Sequence, residues 1–98
     1  MNRETIVGTI RSQEVALRHV GVKSLALVGS SAREERRDDS DVDVLIDVVD
    51  DSRFSFMDRI CVIHLLGDAL HLAVDVSRRD TLNPLVCERM VKDAIEVF

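Results

Sequence analysis

Cysteine, glycine and proline are scarce in this 98-residue chain, with two, four and one copies, and tryptophan and tyrosine do not occur. Cys61 and Cys87 lie in apolar surroundings, without Cys-x-x-Cys spacing or paired histidines nearby. That argues against a structural zinc site or a disulfide framework and makes a reducing cytoplasm the simplest compartment. No apolar run approaches the roughly 18 residues a spanning helix requires, and Met1-Asn2-Arg3-Glu4-Thr5 opens with charge rather than a signal-type apolar region. The expectation is a soluble, cytoplasmic protein with no membrane association. Positive charge is also in deficit: 13 Lys and Arg stand against 18 Asp and Glu, a formal net charge of −5. Nothing in that balance favours DNA or RNA as a direct partner. His19, His64 and His71 show no ligand or triad spacing, and no Gly-x-Ser-x-Gly nucleophile motif occurs.

What is present is a single domain's worth of patterned apolar sequence. The chain is 46% hydrophobic, and a domain of this size buries only about 60 to 65% of the surface its unfolded chain exposes, so the core should be thin. Residues 1–98 read as one domain, without repeat, linker or low-complexity segment. Ile6, Ile10, Leu17 and Val20 recur near helical spacing, giving an amphipathic helix from about Arg3 to His19, interrupted on its apolar face by Gln13 and stopped by Gly21. Val22 to Val28 suits a strand covered on both faces. Residues 31–40 are polar almost throughout and read as a short helical turn followed by an exposed loop.

From Asp41 the pattern alternates. Val42, Val44, Ile46 and Val48 take one face of a strand, while Asp41, Asp43, Leu45 and Asp47 take the other. Asp50, Asp51 and Ser52 offer turn and cap chemistry before a helix whose stripe is Phe56, Ile60, Ile63, Leu66 and Leu70. His71 to Ser77 alternates again, with Asp75 opposite Val74 and Val76. Asn83-Pro84 starts a last helix through Lys92, and residues 94–98 either extend it or form a closing edge strand. The order predicts an α/β or α+β domain.

Three features carry chemistry. Gly29-Ser30 ends a strand and precedes a helical turn, where a sharp bend and exposed N–H groups attract phosphate oxygens; alone, such a pair is an ordinary turn. Asp41 and Asp43 place two hard oxygen ligands on one side of a strand, a set suited to magnesium, although an exposed acidic strand end has the same sequence. Asp75 is a lone carboxylate between valines, which calls for compensation by a metal ion or a proton to abstract unless its face is simply solvated. Arg33, nearest the turn, suits bidentate contact with phosphate oxygens. Arg36 and Arg37 read as members of a solvated cluster with Glu34, Glu35, Asp38 and Asp39.

Gly29-Ser30-Ser31-Ala32-Arg33-Glu34, with Ser40-Asp41-Val42-Asp43-Val44-Leu45 and the later Asp75, resembles the minimal nucleotidyltransferases, the MntA-like antitoxins of the polymerase-β-like nucleotidyltransferase superfamily. The motif core covers residues 29–47, and the element order fits the family over essentially the whole chain. The resemblance implies the minimal nucleotidyltransferase fold, a small mixed β-sheet flanked by helices. It implies Asp41 and Asp43 as paired metal ligands, Asp75 as a third carboxylate that helps bind metal and activates the attacking hydroxyl, and Gly29 and Ser30 as the triphosphate holders. It also implies transfer of AMP from ATP, with two Mg2+ ions, to a side chain of a HEPN-domain toxin, typically a tyrosine, with pyrophosphate released and the toxin silenced. The chain departs from the family pattern at Glu34, where a glycine commonly stands, and at Ser31, where an aromatic is common.

Two further readings belong to other classes. A binding module that neutralises a toxin by covering it finds support in Glu34, against the complete set Asp41, Asp43 and Asp75. Transfer to a small molecule or to RNA usually involves an additional substrate-binding domain, for which 98 residues leave no space.

Overall fold

The helical start is set by Asn2, whose side chain accepts from the Thr5 amide at 2.8 Å and caps α1 (Arg3–Ser12) in this computed structural model, which describes residues 2–33 and 41–98. The expected continuous helix to His19 is broken. Gln13 donates its amide to Ile10 O three residues back, tightening the turn, and α2 (Glu14–Val20) restarts beyond it. Ile6, Ile10 and Leu17 still reach the core from the two pieces. Gly21 ends α2 at φ 118°, a left-handed conformation that glycine adopts without steric cost.

The strands follow the alternation. β1 (Val22–Val28) pairs antiparallel with β2 (Val42–Val48), and β2 pairs parallel with β3 (Val74–Arg78). A register shift between Val22 and Ser24 turns the remainder of β1 by one position, so that Leu25 and Leu27 face the core. Residues 94–98 are not a helical extension: Ile95–Glu96 form β4, antiparallel to β1, giving the sheet order β3-β2-β1-β4. This is the expected small mixed sheet with flanking helices. Gly29–Ala32 make a single helical turn, α3, directly after β1. The continuation expected over residues 34–40 lies outside the described residues.

α4 (Phe56–Leu70) lies across one face of the sheet with α1 and α2. Its cap is Ser55, in a reciprocal box with Asp58, rather than Asp50 to Ser52, whose side chains bond one another in the preceding turn. Of the expected stripe, Leu66 and Leu70 are buried and Ile60 and Ile63 half-buried. Val62, Leu66 and Leu70 are the fully buried positions, Phe56 is 70% exposed, and Phe54, just before the cap, is buried at 7% with its ring under the Arg78 guanidinium. Asn83 caps α5 (Pro84–Lys92) by accepting from the Leu85 amide. No helix among the described residues is long and apolar enough to cross a membrane.

The core therefore sits on one side. Leu25, Leu27, Val42, Val44, Ile46, Val74 and Val76 join the buried positions of α1, α2 and α4 in one cluster. The opposite face of the sheet carries Asp43 and Asp75. Leu66→Ala is expected to lower stability by about 2 to 5 kcal/mol in urea unfolding at unchanged slope, because α4 and the sheet cannot collapse into the space left. Val15→Ala, at a position 84% exposed, should stay within about 0.5 kcal/mol.

Candidate active site

Val42 and Val44 are drawn into the core, and the strand period then forces Asp43 outward on the other face. The parallel register sets Asp43 beside Asp75, with Val42 beside Val74 and Val44 beside Val76 on the reverse side. On its other flank Asp43 stands opposite Val28, the last residue of β1, which is followed at once by Gly29. Gly29 has φ 71°, and a Cβ there would lie 2.7 Å from the Asp43 Oδ2. Two independent constraints, backbone conformation and a carboxylate packed on the Cα, thus select glycine at the same position.

The electrostatics single out Asp43. It is half-buried, and among the described residues it has no hydrogen-bond or ion-pair partner. Burial pushes its carboxyl above the usual range, and the charges of Asp75 and then Asp41 push in the same direction. Asp41, exposed just before β2, therefore belongs to the same anionic field. Among the described residues no three acidic, imidazole or thiolate side chains converge on one metal-sized point. The donors are hard carboxylate oxygens, which fit magnesium rather than a softer ion.

Asp75 has company that sequence reasoning missed. Its side chain is 58% exposed, and Oδ1 lies 3.7 Å from Nη2 of Arg59 on α4. The same guanidinium donates from Nε to Val76 O at 2.9 Å, on the strand at the sheet's edge. Nothing in a helix otherwise read for its apolar stripe signals this contact. Ser30 is half-buried at the turn, whereas Ser31 is 2% exposed and its hydroxyl has no hydrogen-bond partner. Arg33 closes α3 and lies 3.8 Å from Asp93, the residue after α5. Arg36 and Arg37, with Glu34, Glu35, Asp38 and Asp39, lie outside the described residues.

A cleft of about 330 Å3 opens between Gly29, Arg33, Asp43, Arg89 and Met90. Arg89 and Met90 come from α5, for which the sequence signals only a final helix. A second hollow of about 380 Å3, at the opposite end of β1 between Gly21, Arg53 and Phe54, is remote from the paired acids. The chemistry identifies the smaller one. A glycine turn, grouped carboxylates and flanking guanidinium groups can hold a polyphosphate with divalent cations.

Comparison with known proteins agrees with this chemistry. A family model described as a nucleotidyltransferase domain matches residues 10–97. Among curated proteins of Methanocaldococcus jannaschii, "Putative protein adenylyltransferase MJ0435" is 31% identical over 84 residues, 86% of this chain and 87% of its own. "Putative protein adenylyltransferase MJ1217" is 36% identical over 77 residues, 78% of this chain and 76% of its own. A solved structure described as a "putative minimal nucleotidyltransferase" superposes with a TM-score of 0.84 at 27% identity, over 97% of this chain and 95% of that one. A toxin-antitoxin structure with AMP-PNP shares the fold, with a TM-score of 0.73 at 18% identity over 90% of this chain and 72% of that one. The fold also recurs in a structure described as a tri-AMPylated Shewanella oneidensis HEPN toxin in complex with MNT antitoxin, with a TM-score of 0.65 at 18% identity over 90% of this chain and 68% of the matched one. The chain belongs to the nucleotidyltransferase-domain family and has the minimal nucleotidyltransferase fold.

Gly29→Ala should cost roughly 1 to 2 kcal/mol from the left-handed backbone alone, plus the displacement of Asp43. In a double-mutant cycle followed by urea unfolding, Asp43→Ala should remove the second part and leave the first. Asp43→Asn, in metal-free buffer with chelator, should raise the thermal midpoint at pH 7. A carboxyl held above its ordinary value stabilises the fold below the unfolded pKa of about 3.9 and loses that contribution as pH rises through the folded one, so the gain should vanish toward acid pH.

Proposed function

We propose that this nucleotidyltransferase moves AMP from ATP to a hydroxyl of a HEPN-domain toxin, in the cytoplasm, and silences the toxin by doing so. The observation that carries this reading is the in-register placement of Asp43 and Asp75 beside the Gly29 turn. The adenylyltransferase names of the relatives and the HEPN toxin complexes among the structural neighbours support the choice of group and acceptor. A tyrosine is the acceptor side chain we favour.

Asp41, Asp43 and Asp75 are the residues that would hold magnesium, as a set of hard oxygen anions. When bound, the metal supplies charge neutralisation and Lewis-acid polarisation at the α-phosphate. The chain's own residues do the rest. Gly29 and Ser30 bring the turn close to the triphosphate, and Arg33 reaches phosphate oxygens from the end of α3. Asp75, the more exposed carboxylate, takes the acceptor's proton as the acceptor oxygen attacks the α-phosphorus. A new P–O bond forms to the toxin side chain, the bond to the β-phosphate bridging oxygen breaks, and pyrophosphate leaves.

The test is to incubate the chain with the protein encoded beside it, or a HEPN-domain toxin, with magnesium and each nucleoside triphosphate, and to read the partner's intact mass. ATP should add adenylyl mass to the partner, and Asp43→Asn or Asp75→Asn should slow the addition by about 100-fold or more while leaving the complex intact. Unimpaired transfer by either variant would sink the mechanism. A tight complex that gains no mass points instead to neutralisation by contact alone.

A further inference from the structure

α5 has no fully buried residue, and its hydrophobic side chains Leu85, Val86 and Val91 remain exposed. A helix that contributes so little to the core needs another reason for its position. It stands over the Gly29 turn, with Asp93 at its end 3.8 Å from Arg33, and it presents Arg89 and Met90 to the cleft that Gly29 and Asp43 line. Arg89 is also distinctive by what it does not do. In a chain with more acids than bases, the other described arginines are all engaged: Arg18 with Glu14, Arg53 with Asp50, Arg59 with Asp75, Arg78 with Asp80, Arg79 with Asp47, Arg33 with Asp93, and Arg3 and Arg11 with backbone carbonyls. Among the described arginines Arg89 alone has no ion pair, hydrogen bond or ring contact.

We infer that Arg89 is a nucleotide-binding residue whose guanidinium takes the oxygens of the β- and γ-phosphates, so that α5 forms the outer wall of the nucleotide cleft. The inference rests on the proposed function and adds to it the residue that distinguishes a triphosphate from a monophosphate. Its physical basis is a division of charge. The carboxylates, working through cations, suit the α-phosphate where the bond is broken, and they repel the rest of a polyanion unless positive charge stands on the other wall. A planar guanidinium with no competing partner supplies that charge and matches two phosphate oxygens at once. The group that leaves is pyrophosphate, so the same contact holds the charge that accumulates as the bond breaks.

The experiment is calorimetric titration of the whole chain with ATP and with AMP, each with magnesium. Arg89→Ala is suitable because the side chain is exposed and has no described partner to lose, and a thermal melt confirms the fold. The variant should bind ATP about tenfold more weakly or worse, as loss of a charge-assisted contact implies, while AMP affinity stays within about twofold. Arg89→Lys should fall between, keeping charge and losing the fork. Equal ATP affinity in wild type and Arg89→Ala overturns the inference, as does an equal loss for ATP and AMP. Unchanged ATP binding with a weakened toxin complex assigns Arg89 to the protein acceptor and overturns it too. Failure of the wild-type chain to bind ATP at all would instead remove the proposed function, and the inference with it.

Discussion

The register of β2 between its neighbours is the constraint on which the site depends. Val42, Val44 and Ile46 are fully buried on one face, and a slip of one residue would place Asp43 among them and turn three apolar side chains to the other side. Burying a carboxylate among valines, unpaired, costs several kcal/mol, and exposing the valines forfeits about 25 cal/mol for each Å2 of apolar surface returned to water. The core therefore fixes the acids without touching them. Because β3 pairs in the same register, Asp75 is aligned with Asp43 by the same rule applied to Val74 and Val76.

A comparison within β2 separates an acid neutralised inside the protein from one left uncompensated. Asp43 and Asp47 share a strand face four residues apart, and both are half-buried. Asp47 accepts the Ser24 hydroxyl at 2.8 Å and lies 3.3 Å from Arg79 Nε, so its charge is spent inside the protein. Asp43 leaves no room for a Cβ on Gly29, the charges bearing on it are those of two other carboxylates, and its proton is held more tightly than usual. The fold thus keeps one negative group uncompensated where compensation was available by pattern alone. Such an arrangement is a local cost in stability, and it is the kind that a bound cation relieves.

Much of this was legible in the sequence where periodicity and local rules decide. The period of two in residues 42–48 places Asp43 opposite the core, Asn83-Pro84 marks the start of α5, and Gly21 marks the end of α2. Local rules failed where two signals competed within a few residues: Asp50 to Ser52 and Ser55 both offer a cap, and the choice of Ser55 exchanges Phe56 for Phe54 in the core. They marked Gln13 as an interruption of the apolar face but not as the helix break it is, because the apolar pattern continues across a tightened turn. Asp43 and Asp47 are indistinguishable by pattern, since the partners that neutralise Asp47 come from β1 and from the turn after β3. Arg59 and Arg89 were invisible for the same reason. Each becomes part of the site through packing between elements far apart in the chain.

The layered arrangement explains how so small a domain accommodates both a core and a site. Helices α1, α2 and α4 bury one face of a four-stranded sheet, so the apolar stabilisation is concentrated there. The other face is released from that duty. It still buries Ala26, Val28 and Leu45, enough to hold the strands that bear the acids, while its upper end around Gly29 stays open. α5 spans this region with no fully buried side chain, and the Arg33–Asp93 ion pair, between half-exposed groups, is a weak tie. A wall held by so little can adjust to an occupant at small energetic cost, whereas the floor of the cleft, set by strand register, cannot. The rigid element carries the carboxylates, which under the proposed function would have to meet the reacting phosphate within a fraction of an ångström, and the adaptable one carries the longer, more forgiving reach of an arginine.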